Sequence, residues 1–163
     1  KPHSKRPQSL LSTDSTFLNR LPLFATLPKK FGYAGKTLEE QAWEDAIVDQ
    51  NKDFLIAVGQ LLTAQRSGRP EEEIAKIAEE TADPAKESFI KIFNGLLEKS
   101  KSGFLVGDGL TFADLVIVET INTLEKNHVF NLAELPKFAA LRDKVYAIPA
   151  IKEWVAQRPD TPF

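Results

Sequence analysis

The segment that most constrains this chain is Leu110-Thr111-Phe112-Ala113-Asp114-Leu115, continued by Val116-Ile117-Val118, Ile121 and Leu124. Thr111 can accept from a free N–H of a first helical turn, and Asp114, three residues on, can reach back to the N–H of Thr111. Leu110 and Leu115 occupy the hydrophobic-staple positions around that cap. The residues that follow are apolar nearly all round, and a helix without a polar face is stable only when other elements surround it. Amphipathic helices to surround it can be read along the rest of the chain. Thr37-Leu38-Glu39-Glu40 has the form of a second capping box, and Ile47, Val48, Phe54, Leu55, Val58 and Leu62 then recur as one apolar face. Ser67-Gly68-Arg69-Pro70 ends that helix. Glu71-Glu72-Glu73 opens another, with acids suited to the positive end of the dipole, and Pro84 kinks or restarts it. Phe89, Ile92, Phe93, Leu96 and Leu97 continue the helical spacing, and Ser102 to Gly109 reads as a loop. Pro136 opens a helix with Phe138, Leu141, Val145 and Ile148, and Pro149 a last short one with Ile151, Trp154 and Val155. Two prolines hold Arg158 to Phe163 extended. There is no internal repeat and no strand-like alternation. The expected fold is all-α, a bundle of five or six helices.

Composition narrows the chemistry. The 163 residues include no cysteine, which excludes disulfides, thiolate metal sites and cysteine nucleophiles. His3 and His128 are the only histidines, so neither histidine catalysis nor a zinc site is expected, and no metal is assigned. No window approaches the roughly 20 apolar residues of a membrane span. Residues 1–30 carry six basic groups against the single Asp14, a charge of +5, which leaves −7 for the rest of a chain whose total is −2. That balance implies neither a nucleic-acid nor a membrane partner. The same segment holds Pro2, Pro7, Pro22 and Pro28 and the run Ser12-Thr13-Asp14-Ser15-Thr16. It is expected to be an irregular basic tail over 1–30, with a short helical turn around Leu21–Leu27, ahead of an all-helical domain over 31–163. A start at Lys1 and the absence of methionine read as a fragment or a processed chain.

Most isolated features have structural explanations. His128 falls at a helix end, where a cation suits the dipole. Trp43 and Trp154 read as packing aromatics. Gly107-Asp108-Gly109 lacks the preceding strand of a phosphate loop. Asp45, Asp49 and Asp53, at i, i+4 and i+8, share one side of a helix, where exposed like charges cost roughly 0.2–0.5 kcal/mol per pair. Two readings stay open for this stripe. It is a solvated acidic face partly balanced by Lys52, or a site for a cation (a ligand ammonium or a metal) walled by Phe54 and Leu55.

Several separated motifs resemble one family. Lys30-Phe31-Gly32-Tyr33-Ala34-Gly35-Lys36-Thr37 and Asp45-Ala46-Ile47-Val48-Asp49-Gln50 look like the start of the C-terminal domain of sigma-class glutathione transferases of nematode type. Gly103-Phe104-Leu105-Val106-Gly107-Asp108, the Leu110–Leu115 segment, Ala140–Val145, Ala147–Ile151 and the ending Arg158–Phe163 are similar to later parts of that domain. The resemblance implies a cytoplasmic homodimer that conjugates glutathione, as co-substrate with no other cofactor, to hydrophobic electrophiles. By the same resemblance Asp53 reaches across the dimer to the ammonium of glutathione bound on the partner subunit. Pro7-Gln8-Ser9 is similar to the family's Pro-Gln-Ser motif, which makes Gln8 and Ser9 candidate glutathione contacts. Phe54, Leu55, Val58 and Phe163 match the zone lining the hydrophobic co-substrate pocket, and Thr111 and Asp114 the family's folding capping box. Asp49 and Asp53 match two positions of the interfacial metal site of prostaglandin D synthase relatives. Lys52 stands at the third, which argues against a metal and against that activity.

The family's thiol-activating tyrosine belongs to an N-terminal thioredoxin-like domain, for which some 30 residues are too few. Neither Tyr33 nor Tyr146 is at its place, so no catalytic residue is assigned and the chain alone is expected to be inactive. The alternative is a non-catalytic ligand-binding or protein-interaction module.

Overall fold

A computed structural model describes residues 28–159. Gln8, Ser9, Phe163 and the helical turn expected around Leu21–Leu27 lie outside the described residues. Residues 28–31 are helical, and six longer helices follow: α1 (Leu38–Arg66), α2 (Glu71–Ile77), α3 (Asp83–Lys99), α4 (Phe112–Lys126), α5 (Pro136–Tyr146) and α6 (Pro149–Gln157). No strand occurs among the described residues. The all-α bundle expected from the helical spacing is the fold observed.

The capping box at Thr37 starts α1: the Thr37 hydroxyl accepts from the Glu40 N–H at 3.1 Å, and Glu40 accepts in return from the Thr37 N–H at 3.1 Å. Pro84 does not break the chain's helical course. A π-helical turn, Ala78–Ala82, joins α2 directly to α3, and Pro84 lies in the first turn of α3. A wider turn relieves the clash of a proline ring with the preceding carbonyls and tolerates its missing N–H.

As its sequence requires, α4 runs through the centre, with Ile117, Val118, Ile121 and Leu124 all buried. It packs against α1 on one side and α5 on the other, while α3 lies along α1. Phe89 of α3 is the hub of an aromatic cluster, 4.2 Å from Phe54 and 4.3 Å from Phe93 between ring centroids, with Phe130 at 5.9 Å and Phe138 at 6.0 Å. The tryptophans depart from expectation: Trp43 is 53% and Trp154 63% exposed. Trp154 belongs to α6, a peripheral helix with no buried residue, and Trp43 stands on the flank of α1. Ile92 is likewise exposed although it keeps the apolar spacing of α3.

His128 does close a helix, by its backbone. Its φ is 59°, its N–H donates to the Glu125 carbonyl at 3.0 Å, and the Val129 N–H donates to the Leu124 carbonyl at 2.8 Å. That pair of bonds is the Schellman arrangement, in which the left-handed residue is usually glycine. A left-handed backbone costs an L-residue roughly 1–2 kcal/mol, partly offset by the extra chain entropy a glycine loses. His128→Gly should therefore stabilise the protein by about 0.5–1 kcal/mol, read as a higher urea midpoint at unchanged slope.

Candidate functional site

On α1 the buried side chains are Glu44, Ile47, Asn51, Phe54 and Val58, with Ala64 near its end. Asp45, Asp49 and Asp53 fall on the opposite side and are all exposed, as is Lys52. Among the described residues no ion pair or hydrogen bond engages any of the three aspartates, and no group of three or more His, Cys, Asp or Glu is arranged to hold a metal ion. Leu38 (85% exposed) and Ile56 (55%) share this outward face. It is a charged, partly apolar surface on a rigid helix, free to meet a ligand ammonium or another chain.

The residues expected around it separate by helical phase. Phe54 points into the bundle, stacked on Phe89 and 5.8 Å from Phe130, and Val58 is 1% exposed. Both serve the core. Leu55, a residue on from Phe54, is turned about 100° away and is 40% exposed, so it alone of these three offers surface to a co-substrate. Two concavities lie elsewhere. One, of about 560 Å³, is lined by Lys86, Ile90, Phe130 and Leu135 among others. The other, of about 340 Å³, lies between α4, α5 and α6, beside Leu115, Tyr146 and Trp154.

Thr111 and Asp114 form the capping box their spacing implies. One Asp114 oxygen accepts from the Thr111 N–H at 2.8 Å and from the Thr111 hydroxyl at 3.0 Å. The other takes the Leu105 N–H at 2.7 Å, which ties the preceding loop to the start of α4. That loop is itself braced: Ser100 and Ser102 donate to the Phe104 and Gly107 carbonyls, each at 2.7 Å, and Lys144 donates to the Ser102 carbonyl. Asp114 is completely buried, and burial pushes its carboxyl above the ordinary aspartate value despite these donors.

The residue missed from the sequence is Glu44. It is 5% exposed and accepts main-chain N–H groups from Gly35 and Phe112, each at 3.0 Å. Burial raises its carboxyl above the ordinary glutamate value, with Asp45 and Asp114 adding to the effect. The available signal was its phase, because Glu44 lies at i, i+3, i+7, i+10 and i+14 with Ile47, Asn51, Phe54 and Val58.

The model for the C-terminal domain of glutathione S-transferase matches residues 52–158. The chain belongs to the glutathione S-transferase family. It is 43% identical over 135 residues to glutathione S-transferase 4 of Caenorhabditis elegans, covering 83% of this chain and 65% of that protein. A solved glutathione S-transferase of the same nematode superposes with a TM-score of 0.77 at 46% identity, over 85% of this chain and 67% of the other. A hookworm enzyme from Necator americanus, described as monomeric, superposes at 0.73 with 36% identity, over 93% and 71%. The chain thus spans less than two thirds of the length of that first relative. Among the described residues no helix is long and apolar enough to cross a membrane.

A raised carboxyl contributes stability that is full below its unfolded pKa and is lost as pH rises through its folded one. Relative to Asp114→Asn, the wild type should therefore lose unfolding free energy as pH rises above the ordinary aspartate range, about pH 4, and through the raised value of the folded state. Urea unfolding of both proteins across that range measures the difference, and a constant or widening advantage would contradict the buried environment described for Asp114.

Proposed function

We propose that this chain is the helical co-substrate and subunit-contact portion of a sigma-class glutathione transferase. In this reading it conjugates glutathione to hydrophobic electrophiles in the cytoplasm, as a homodimer, once joined to a thioredoxin-like half. The observation that carries the reading is the nematode relationship, 43% identity in sequence and a TM-score of 0.77 in structure over most of the chain. The homodimer is proposed although the hookworm relative is described as monomeric.

The chain's own tyrosines are poor thiol activators. The Tyr146 hydroxyl donates to Glu119 at 3.2 Å and lies 3.4 Å from Arg158, and burial first, then the Glu119 charge, raises its pKa. A phenol whose proton is already held by a carboxylate has none to offer a thiolate. Tyr33 is 43% exposed and lies in the segment before α1. The thiol chemistry is therefore assigned to the half that precedes this domain in its relatives. Asp53, exposed and unpaired among the described residues, is assigned the glutathione ammonium, with Leu55 facing the electrophile.

The test joins the chain to the amino-terminal half of the Caenorhabditis elegans relative and assays a chloro-nitroaromatic acceptor. The chain alone should stay at the uncatalysed rate, and the joined protein should turn over. There Asp53→Asn should raise the glutathione KM about tenfold, the loss of one charge-assisted hydrogen bond, with a smaller fall in kcat. Asp45→Asn, two turns earlier on the same stripe, should change little. Turnover by the chain alone would defeat the division of labour. Equal effects at Asp45 and Asp53 would reduce the stripe to general electrostatics, and a joined protein without activity would favour the non-catalytic module.

A further inference from the structure

Glu44 joins two segments far apart in sequence. Its Oε2 accepts from the Gly35 N–H and its Oε1 from the Phe112 N–H, each at 3.0 Å. The Phe112 N–H also donates to the Tyr33 carbonyl at 2.8 Å, so the strand of chain ahead of α1 lies directly on the first residue of α4. Gln41 donates its side-chain amide to the Gly35 carbonyl at 2.8 Å, and Glu40 accepts from Lys36 and Thr37 at 2.5 and 3.1 Å. There is no slack at Gly35, where a Cβ would come 2.6 Å from the Glu40 Cβ and 2.8 Å from its carbonyl carbon. Two main-chain N–H donors facing one side chain, the Gly35 bond buried and the Phe112 bond part-buried, suit an ionised carboxylate, the one common side chain with two acceptor oxygens and no donor. A glutamine could satisfy one of them and would turn its NH₂ on the other. Core packing alone requires no charge at this position, and burying one is costly unless its bonds matter.

We infer that Glu44 is the positioning residue that fixes how the segment from Tyr33 to Lys36, just ahead of α1, is seated on the helical bundle, with the start of α4 as its anchor. Its catalytic meaning rests on the glutathione-transferase reading, in which the thiol-holding half precedes this segment. Glu44 then sets the relation between that half and the exposed face of α1 that carries Asp53. The latch itself stands on geometry and holds whatever the chemistry. The charged groups acting on Glu44 are Asp45 on its own helix and Asp114 on α4, and with burial they favour its neutral form. Protonation puts an O–H against an N–H donor and opens half of the latch.

Amide hydrogen exchange on the full chain tests this, comparing the wild type, Glu44→Gln and the exposed neighbour Asp45→Asn. In Glu44→Gln the amide of Gly35 or Phe112, or both, should exchange about tenfold faster, the loss of one buried charge-assisted bond. The amides of Ile121 and Leu124 in mid-α4 should change by less than about threefold, and tryptic cleavage after Lys36 should rise with Gly35 exchange. Corrected for intrinsic rates, wild-type Gly35 protection should fall in a step on acidification that Glu44→Gln lacks and Asp45→Asn retains. Unchanged exchange at both amides would overturn the inference, as would equal acceleration throughout the bundle, which is the signature of plain destabilisation. If Glu44→Gln fails to fold, the acid step at wild-type Gly35 decides, since its absence overturns the latch. An inactive joined protein would defeat the transferase reading while leaving these exchange results standing.

Discussion

The fold depends on what happens at the first turn of α4. The start of α4 lies inside the protein, with Thr111 and Asp114 buried, and its first N–H groups cannot be left to water. Asp114 and Glu44 solve this from two directions. Asp114, within the helix, takes the Thr111 N–H and reaches out to Leu105, and Glu44, on α1, takes the Phe112 N–H and reaches out to Gly35. Two carboxylates therefore tie the loop before α4, the segment before α1 and α1 itself to one point. The cost is two acids buried near each other, both pushed towards their neutral forms.

How much of this the sequence disclosed varies with how local the physics is. Capping boxes span four residues, so Thr37–Glu40 and Thr111–Asp114 could be placed by spacing alone. The apolar run Leu115–Val118 with Ile121 and Leu124 likewise pointed to a central position, although Glu119, Asn122, Thr123 and Lys126 give α4 one polar side. Side-chain direction at single positions was harder. Phe54 and Leu55 look equivalent in a list of apolar residues, but a 100° turn sends one into the aromatic cluster and the other to solvent. Trp43 and Trp154 were misjudged because size favours burial only where a neighbouring element exists to cover the residue. Glu44 was missed because its partners are nine and 68 residues away, a relation no local pattern contains.

The functional face follows from the same arrangement. Because α1 buries Glu44, Ile47, Asn51, Phe54 and Val58, its opposite side presents Asp45, Asp49 and Asp53 in a row on a 29-residue helix. The glutathione transferase relationship turns that row from a solvated stripe into a specific proposal for Asp53. Tyr146, whose hydroxyl is committed to Glu119 and Arg158, is not free to activate a thiol.

The two carboxylates at the start of α4 hold the bundle's loops and helices together. Their side-chain carboxyl carbons can be followed by NMR through an acid titration of the folded protein. Glu44 and Asp114 should both titrate at higher pH than ordinary glutamate and aspartate, and the Gly35 and Leu105 amide shifts should move with their respective acids. A midpoint at or below the ordinary value for either, or amides indifferent to it, would contradict a bundle organised around buried, doubly shared carboxylates.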